Sequence, residues 1–279
     1  MKKYEFGYYE GERALYNSHD LLIVDGIFAN GESPLKESSD IELRGGIFKW
    51  KYPLWYCKNI KVQGTTLLNT ARSGIWYTKN IEMTDCMIEA PKTFRRSEDI
   101  ILTRCQLPDA KETLWGCKNI KLIDVSANGD YFAMNAENIV CENFYLDGNY
   151  AFDGAKNIEI KNARMLSKDS FWNTENVVVY DSLIIGEYLG WNSKNLTFIN
   201  CTIESNQGMC YMDNIKMVNC KLINTDLCFE FSTVDAEITS PVASVKNPIS
   251  GRIKAKSIGE IILDDHLVNP ENTEIIVED

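Results

Sequence analysis

The chain repeats itself about every 19 residues, and that period limits its fold more than any other feature. A corner written Cys57-Lys58-Asn59-Ile60 returns as Thr78-Lys79-Asn80-Ile81, Cys117-Lys118-Asn119-Ile120, Ala155-Lys156-Asn157-Ile158, Thr174-Glu175-Asn176-Val177 and Ser193-Lys194-Asn195-Leu196. The Asn or Asp of the corner falls at 20, 40, 59, 80, 99, 119, 138, 157, 176, 195 and 214. A fixed period of this length marks a solenoid, in which each repeat is one coil stacked on the next.

With the corner Asn or Asp as place zero, places one and three are apolar, as in Ile60 and Val62 or Ile158 and Ile160. Polar Lys61, Glu82 and Lys121 stand between them. That alternation predicts a strand with one buried face. Place five is a second polar corner (Asp85, Asn143, Asp181, Asn200), made of residues that tolerate left-handed backbone. Places six and eight are apolar again and predict a second short strand. Place minus five reads Leu54, Ile75, Phe94, Leu114, Phe152 and Phe171, which predicts a third. Each strand should pair with its equivalent one coil away, about 4.8 Å off. The corner asparagines should bond to one another as a ladder. Asp20, Asp40 and Asp99 interrupt it, because a carboxylate lacks the amide donor.

The expected fold is all-β: a right-handed parallel β-helix with capped ends, the hand taken from the usual crossover rule. One domain should span 1–279, with coils over about 13–232 and a terminal cap over 233–279, where Pro241, Pro248 and Pro270 accompany a blurred repeat. The order of elements and the Asn-Ile corner resemble single-stranded β-helix proteins of the pectate-lyase-like kind. The Lys-Asn-Ile corners, the Leu-Trp and Phe-Trp pairs and the segment from Ser250 to Ile262 resemble, more closely, an uncharacterised bacterial β-helix family, a domain of unknown function. Its members are often labelled hydrogenase. A hydrogenase needs paired cysteines for its metal centre, and this chain has no Cys-x-x-Cys, so the label is rejected. The resemblance implies a fold and no particular activity.

Net charge is −11 with no basic run, which argues against nucleic acid and anionic membrane as partners. Cys86 and Cys105 are one repeat apart, as are Cys201 and Cys220, the behaviour of a small core residue recurring at one slot. An odd total of nine cysteines and a start without a secretory pattern predict a reducing cytoplasm. No metal or cofactor is expected, since no ligand spacing appears. His19 and His266 are expected at the surface.

One row departs from this pattern. Place minus four holds Trp55, Trp76, Arg95, Trp115, Met134, Asp153, Trp172, Trp191, Cys210 and Phe229, which includes five of the six tryptophans. Beside an inward row it should face out. Arg96, Asn135, Asn173 and Asn192 stand next to it at place minus three. Two readings follow. In the first, the protein is a binding or assembly module that presents the tryptophan stripe, to a glycan or to a second copy of itself. In the second, it is a carbohydrate-active enzyme, a glycoside hydrolase or lyase, working along the stripe. Sugar faces stack on aromatic rings while Arg and Asn bond hydroxyls. The candidate binding residues are Trp55, Trp76, Arg95, Arg96, Trp115, Asn135, Trp172, Asn173, Trp191 and Asn192. The candidate acid and base are Asp153 and Asp169.

Overall fold

A computed structural model describes residues 1–278. The chain is an all-β parallel solenoid with about 19 residues per coil. It divides into two compact units, Met1–Tyr145 and Leu146–Asp279. In the first unit the strands Ser39–Arg44, Lys58–Gln63, Lys79–Thr84, Glu98–Thr103 and Lys118–Asn128 lie parallel, with Ile41, Ile60, Ile81, Ile100 and Ile120 in register. In the second, Ile158, Val177, Leu196, Ile215 and Val234 form the equivalent file. Residues 19 places apart therefore lie over one another because each strand's partner is its own counterpart in the next coil. Places one and three are buried throughout, and they form the core.

The ladder forms as direct side-chain bonds. The Asn80 amide donates to Asn59 (2.9 Å) and Asn59 donates to Asp40 (2.8 Å). A second run begins at Asp99, which accepts from Asn119 (2.8 Å), and Asn119 accepts from Asn138 (2.9 Å). In the other unit Asn214, Asn195 and Asn176 each donate to the preceding rung. All the donors point toward lower residue number, so an aspartate serves as a first rung that only accepts. The Asn59 amide and the Ser39 hydroxyl hold the Asp40 carboxyl below its usual range.

A second row, unread in the sequence, lies at place minus two and is buried. Thr78 Oγ1 donates to the Leu54 carbonyl (2.6 Å) and accepts from the Cys57 N–H (3.2 Å). Ser97 does the same for Ile75 and Thr78. Ser193 accepts from the Thr174 N–H (3.2 Å) and donates to Phe171. These hydroxyls satisfy corner amides that the strand ladder misses and that water cannot reach. All nine cysteines are buried free thiols.

The third side differs from expectation. Among the described residues it is a strand only at Ile75–Trp76 and Phe94–Arg95. From Glu112 onward, alternate residues take positive φ instead: Glu112, Leu114 and Gly116, then Tyr131, Ala133 and Asn135, and later Asp169, Phe171 and Asn173. Left-handed backbone breaks an extended run, so turns replace the strand. The segment expected as the cap is itself built of strands. Thr233–Lys246, Ser250–Ile262 and Thr273–Val277 continue the parallel pairing, and Pro241 sits at a register shift. At the other end Lys2–Glu5 already pairs with His19–Val24, ahead of the expected start.

Candidate functional site

The stripe lies on the turn side of the coils, one residue after the buried place minus five. The five indoles are half-buried, not fully outward. Each spends its N–H on a backbone carbonyl of the following coil: Trp55 on Ser73 (2.5 Å), Trp76 on Lys92 (2.9 Å), Trp115 on Tyr131 (2.7 Å), Trp172 on Tyr188 (2.6 Å) and Trp191 on Gln207 (2.8 Å). The bond fixes the ring across the gap between coils, and successive rings stack. Trp55 and Trp76 are 5.1 Å apart and 9° from parallel; Trp172 and Trp191 are 5.9 Å apart and 12° from parallel. Beside the first pair, exposed Tyr56 stacks on Tyr77 (4.8 Å, 8°).

Arg95 continues the tryptophan stack in place of a ring. Its guanidinium carbon lies 4.8 Å from the Trp76 centroid and 4.6 Å from that of Trp115. Glu112 Oε2 accepts from Arg95 Nη2 (3.2 Å) and pairs with Lys92 Nζ (3.0 Å). A planar cation suits this slot because both of its faces can meet an aromatic face. Arg96, next in the chain, is exposed. The Lys92–Glu112 contribution was not legible in the sequence, because the row at place minus seven mixes Tyr, Ser, Lys, Glu and Asp.

The row does not stay at the surface to its end. Cys210 and Phe229 are fully buried. The Cys210 thiol is small enough to turn in and donate toward the Gln207 and Leu227 carbonyls. Phe229 enters through a one-residue slip. The positive-φ residues Gln207, Met209 and Tyr211 recur 20 places on as Leu227, Phe229 and Phe231, so Phe229 replaces Met209 in the inward row.

In the second unit Asp153 Oδ1 accepts from the Asn173 amide (2.8 Å), and Asn173 accepts from Asn192 (2.8 Å). That is another short amide run with an aspartate as its first rung. Asn135, in the first unit, is exposed at a positive-φ bend. Asp169 is buried, and its backbone N–H donates to Glu187 (2.8 Å). Burial pushes its carboxyl above the usual range; the Tyr150 hydroxyl and Lys168 oppose this and Glu187 adds to it. No hydrogen bond joins Asp153 to Asp169 among the described residues. Burial pushes the Cys57, Cys117 and Cys210 thiols up to about 12, so none is a thiolate nucleophile at neutral pH. Among the described residues no group of three or more His, Cys, Asp or Glu could hold a metal ion.

Asp169 should make the stability of the fold depend on pH. Its folded pKa is raised, so the fold favours the neutral acid. Its contribution is fully present below the unfolded value, about 3.9, and is lost as pH rises through the folded value. Asp169→Asn is therefore expected to raise the urea midpoint at neutral pH, with the gain shrinking on acidification. A lower midpoint at neutral pH would mean that the Tyr150 and Lys168 contacts outweigh burial.

A family model described as protein of unknown function (DUF3737) matches residues 2–276. The chain belongs to the DUF3737 family. No curated protein matches it. Solved structures similar to this DUF3737 chain include the mannuronan C-5 epimerase AlgE6 A-module of Azotobacter vinelandii, at 11% identity and a TM-score of 0.40, covering 93% of this chain and 90% of that one. The pentapeptide repeat protein HetL of Nostoc sp. is similar at 10% identity and a TM-score of 0.26, covering 96% and 92%. PfbA, a surface adhesin of Streptococcus pneumoniae, is similar at 8% identity and a TM-score of 0.32, covering 91% and 71%. Values this low say nothing about what a DUF3737 protein binds.

Proposed function

We propose that the protein is a binding or assembly module that uses the turn side of its coils, and that it does no chemistry there. The observation that carries this reading is the stacking of the aromatic rings. The Trp55–Trp76 and Tyr56–Tyr77 pairs cover one another's faces, and Tyr56 remains exposed. Sugar recognition by stacking needs free faces, which favours a polypeptide partner over a glycan. Trp, Tyr and Arg set among already paired charges also make the composition typical of energetic centres at protein interfaces. Acid–base cleavage needs two carboxylates flanking one open site. Asp153 is engaged by an amide and Asp169 is buried, so the hydrolase or lyase reading has less support.

A photoreactive amino acid at Tyr56, in the cells that make the protein, is expected to cross-link one defined species. The same group at Lys216, on the strand side, is expected to give none. Equal labelling at both sites, or none at Tyr56, would sink the binding reading. New reducing ends or unsaturated products from a polysaccharide panel would restore the enzyme.

A further inference from the structure

Five coils of the first unit have a basic turn side on a chain of net charge −11. Across the five coils cornered at Asn59, Asn80, Asp99, Asn119 and Asn138, the outward places minus eight, minus seven, minus four and minus three carry Lys51, Arg72, Lys92, Arg95, Arg96 and Lys111. Only Glu112 and Asp130 oppose them. Glu112 is taken up by Lys92 and Arg95, and Lys51 pairs with Glu32 (3.2 Å). Arg72, Arg96 and Lys111 are exposed and make no ion pair among the described residues.

The ring geometry adds to this charge. An aromatic ring has a negative face and a positive edge. Stacking Trp55 on Trp76, and Arg95 between Trp76 and Trp115, covers negative ring faces that would otherwise repel an anion. Coils rise by about 4.8 Å, so Arg72, Arg96 and Lys111, in three successive coils, spread over about 10 Å along the axis, with Arg96 five places further round its coil. That is the reach of a few residues of extended chain.

We infer that this face binds an acidic polypeptide segment, its carboxylates on Arg72, Arg96 and Lys111 and its apolar side chains against the ring edges. This deepens the binding reading and rests on it. An acidic glycan would satisfy the cations but would find the ring faces covered.

The test uses the full chain and a fluorescein-labelled peptide of alternating glutamate and leucine, read by anisotropy. Binding is expected to weaken as salt rises, as it must for exposed charges. The triple variant R72E/R96E/K111E is expected to lose about tenfold or more in affinity. K61E/K121E, on the strand side, keeps wild-type affinity. Unchanged urea midpoints in both variants establish that they fold. Wild-type affinity in the triple variant would overturn the proposal. So would equal binding of a lysine–leucine peptide, or oligogalacturonate outcompeting the acidic peptide through the same residues. If the peptide fails but Tyr56 still cross-links a partner, the acidic class falls and the module reading stands; if both fail, both fall.

Discussion

Phe171→Ala is expected to destabilise the second unit by about 3–5 kcal/mol, the usual range for emptying a buried aromatic site. Phe171 is completely buried. It stacks on Phe152 (5.4 Å, 6°) and meets the Phe198 ring edge-on (6.5 Å). Its neighbours belong to coils already pinned by strand pairing, so they cannot collapse into the space. A solenoid coil touches only the coils beside it, so the damage should stay local. Urea unfolding would give the size, and hydrogen exchange the extent. Protection should fall first in the strands Lys156–Lys161, Glu175–Tyr180 and Lys194–Ile199. A loss below about 1 kcal/mol would mean that the core column repacks and is not close-packed.

Trp76→Ala should cost about 2–3 kcal/mol, below the full aromatic range because the indole is half-exposed. Three contacts go together: the stack on Trp55, the bond to the Lys92 carbonyl, and one wall of the Arg95 slot. Trp76→Phe separates them. It keeps a ring face and loses the N–H donor, and should cost about 1–2 kcal/mol. A double-mutant cycle of Trp76→Ala with Arg95→Ala should return a coupling of about 0.5–1 kcal/mol from the cation and the ring. If Trp76→Phe were as damaging as Trp76→Ala, the backbone bond alone would hold the stripe. A coupling near zero would remove Arg95 from the stack.

The strand side was legible because its chemistry is repeated residue by residue. Asn59, Asn80 and Asn119 recur at one place with apolar residues at fixed offsets, and parallel pairing is the arrangement that uses this. The turn side was harder to read. Hydrophobicity marks Leu114, Phe152 and Phe171 as inward but carries no sign that they take left-handed backbone, which turns an expected strand into bends. It also marks the next row as outward. Whether an indole there lies flat or stands free depends on a carbonyl about 16 residues ahead, as Trp115 and Tyr131 illustrate. Thr78, Ser97 and Ser193 accept corner amides at place minus two, and the Cys117 thiol accepts the Ser97 N–H (3.4 Å), but as residue types they look like scatter. Arg72 and Lys111 stand at place minus eight, where Pro91 and Asp130 break any pattern by residue type.

The direction of the amide ladder limits how such a chain can grow. Every rung hands its hydrogen to the one before, and a run opens on Asp40 or Asp99, which have none to give. Copying a coil that carries asparagine would extend a run without a seam. Copying one that carries aspartate would set two acceptors face to face and start a new segment. Gene duplication could therefore lengthen the protein freely within a run, while the aspartate coils act as joints between blocks.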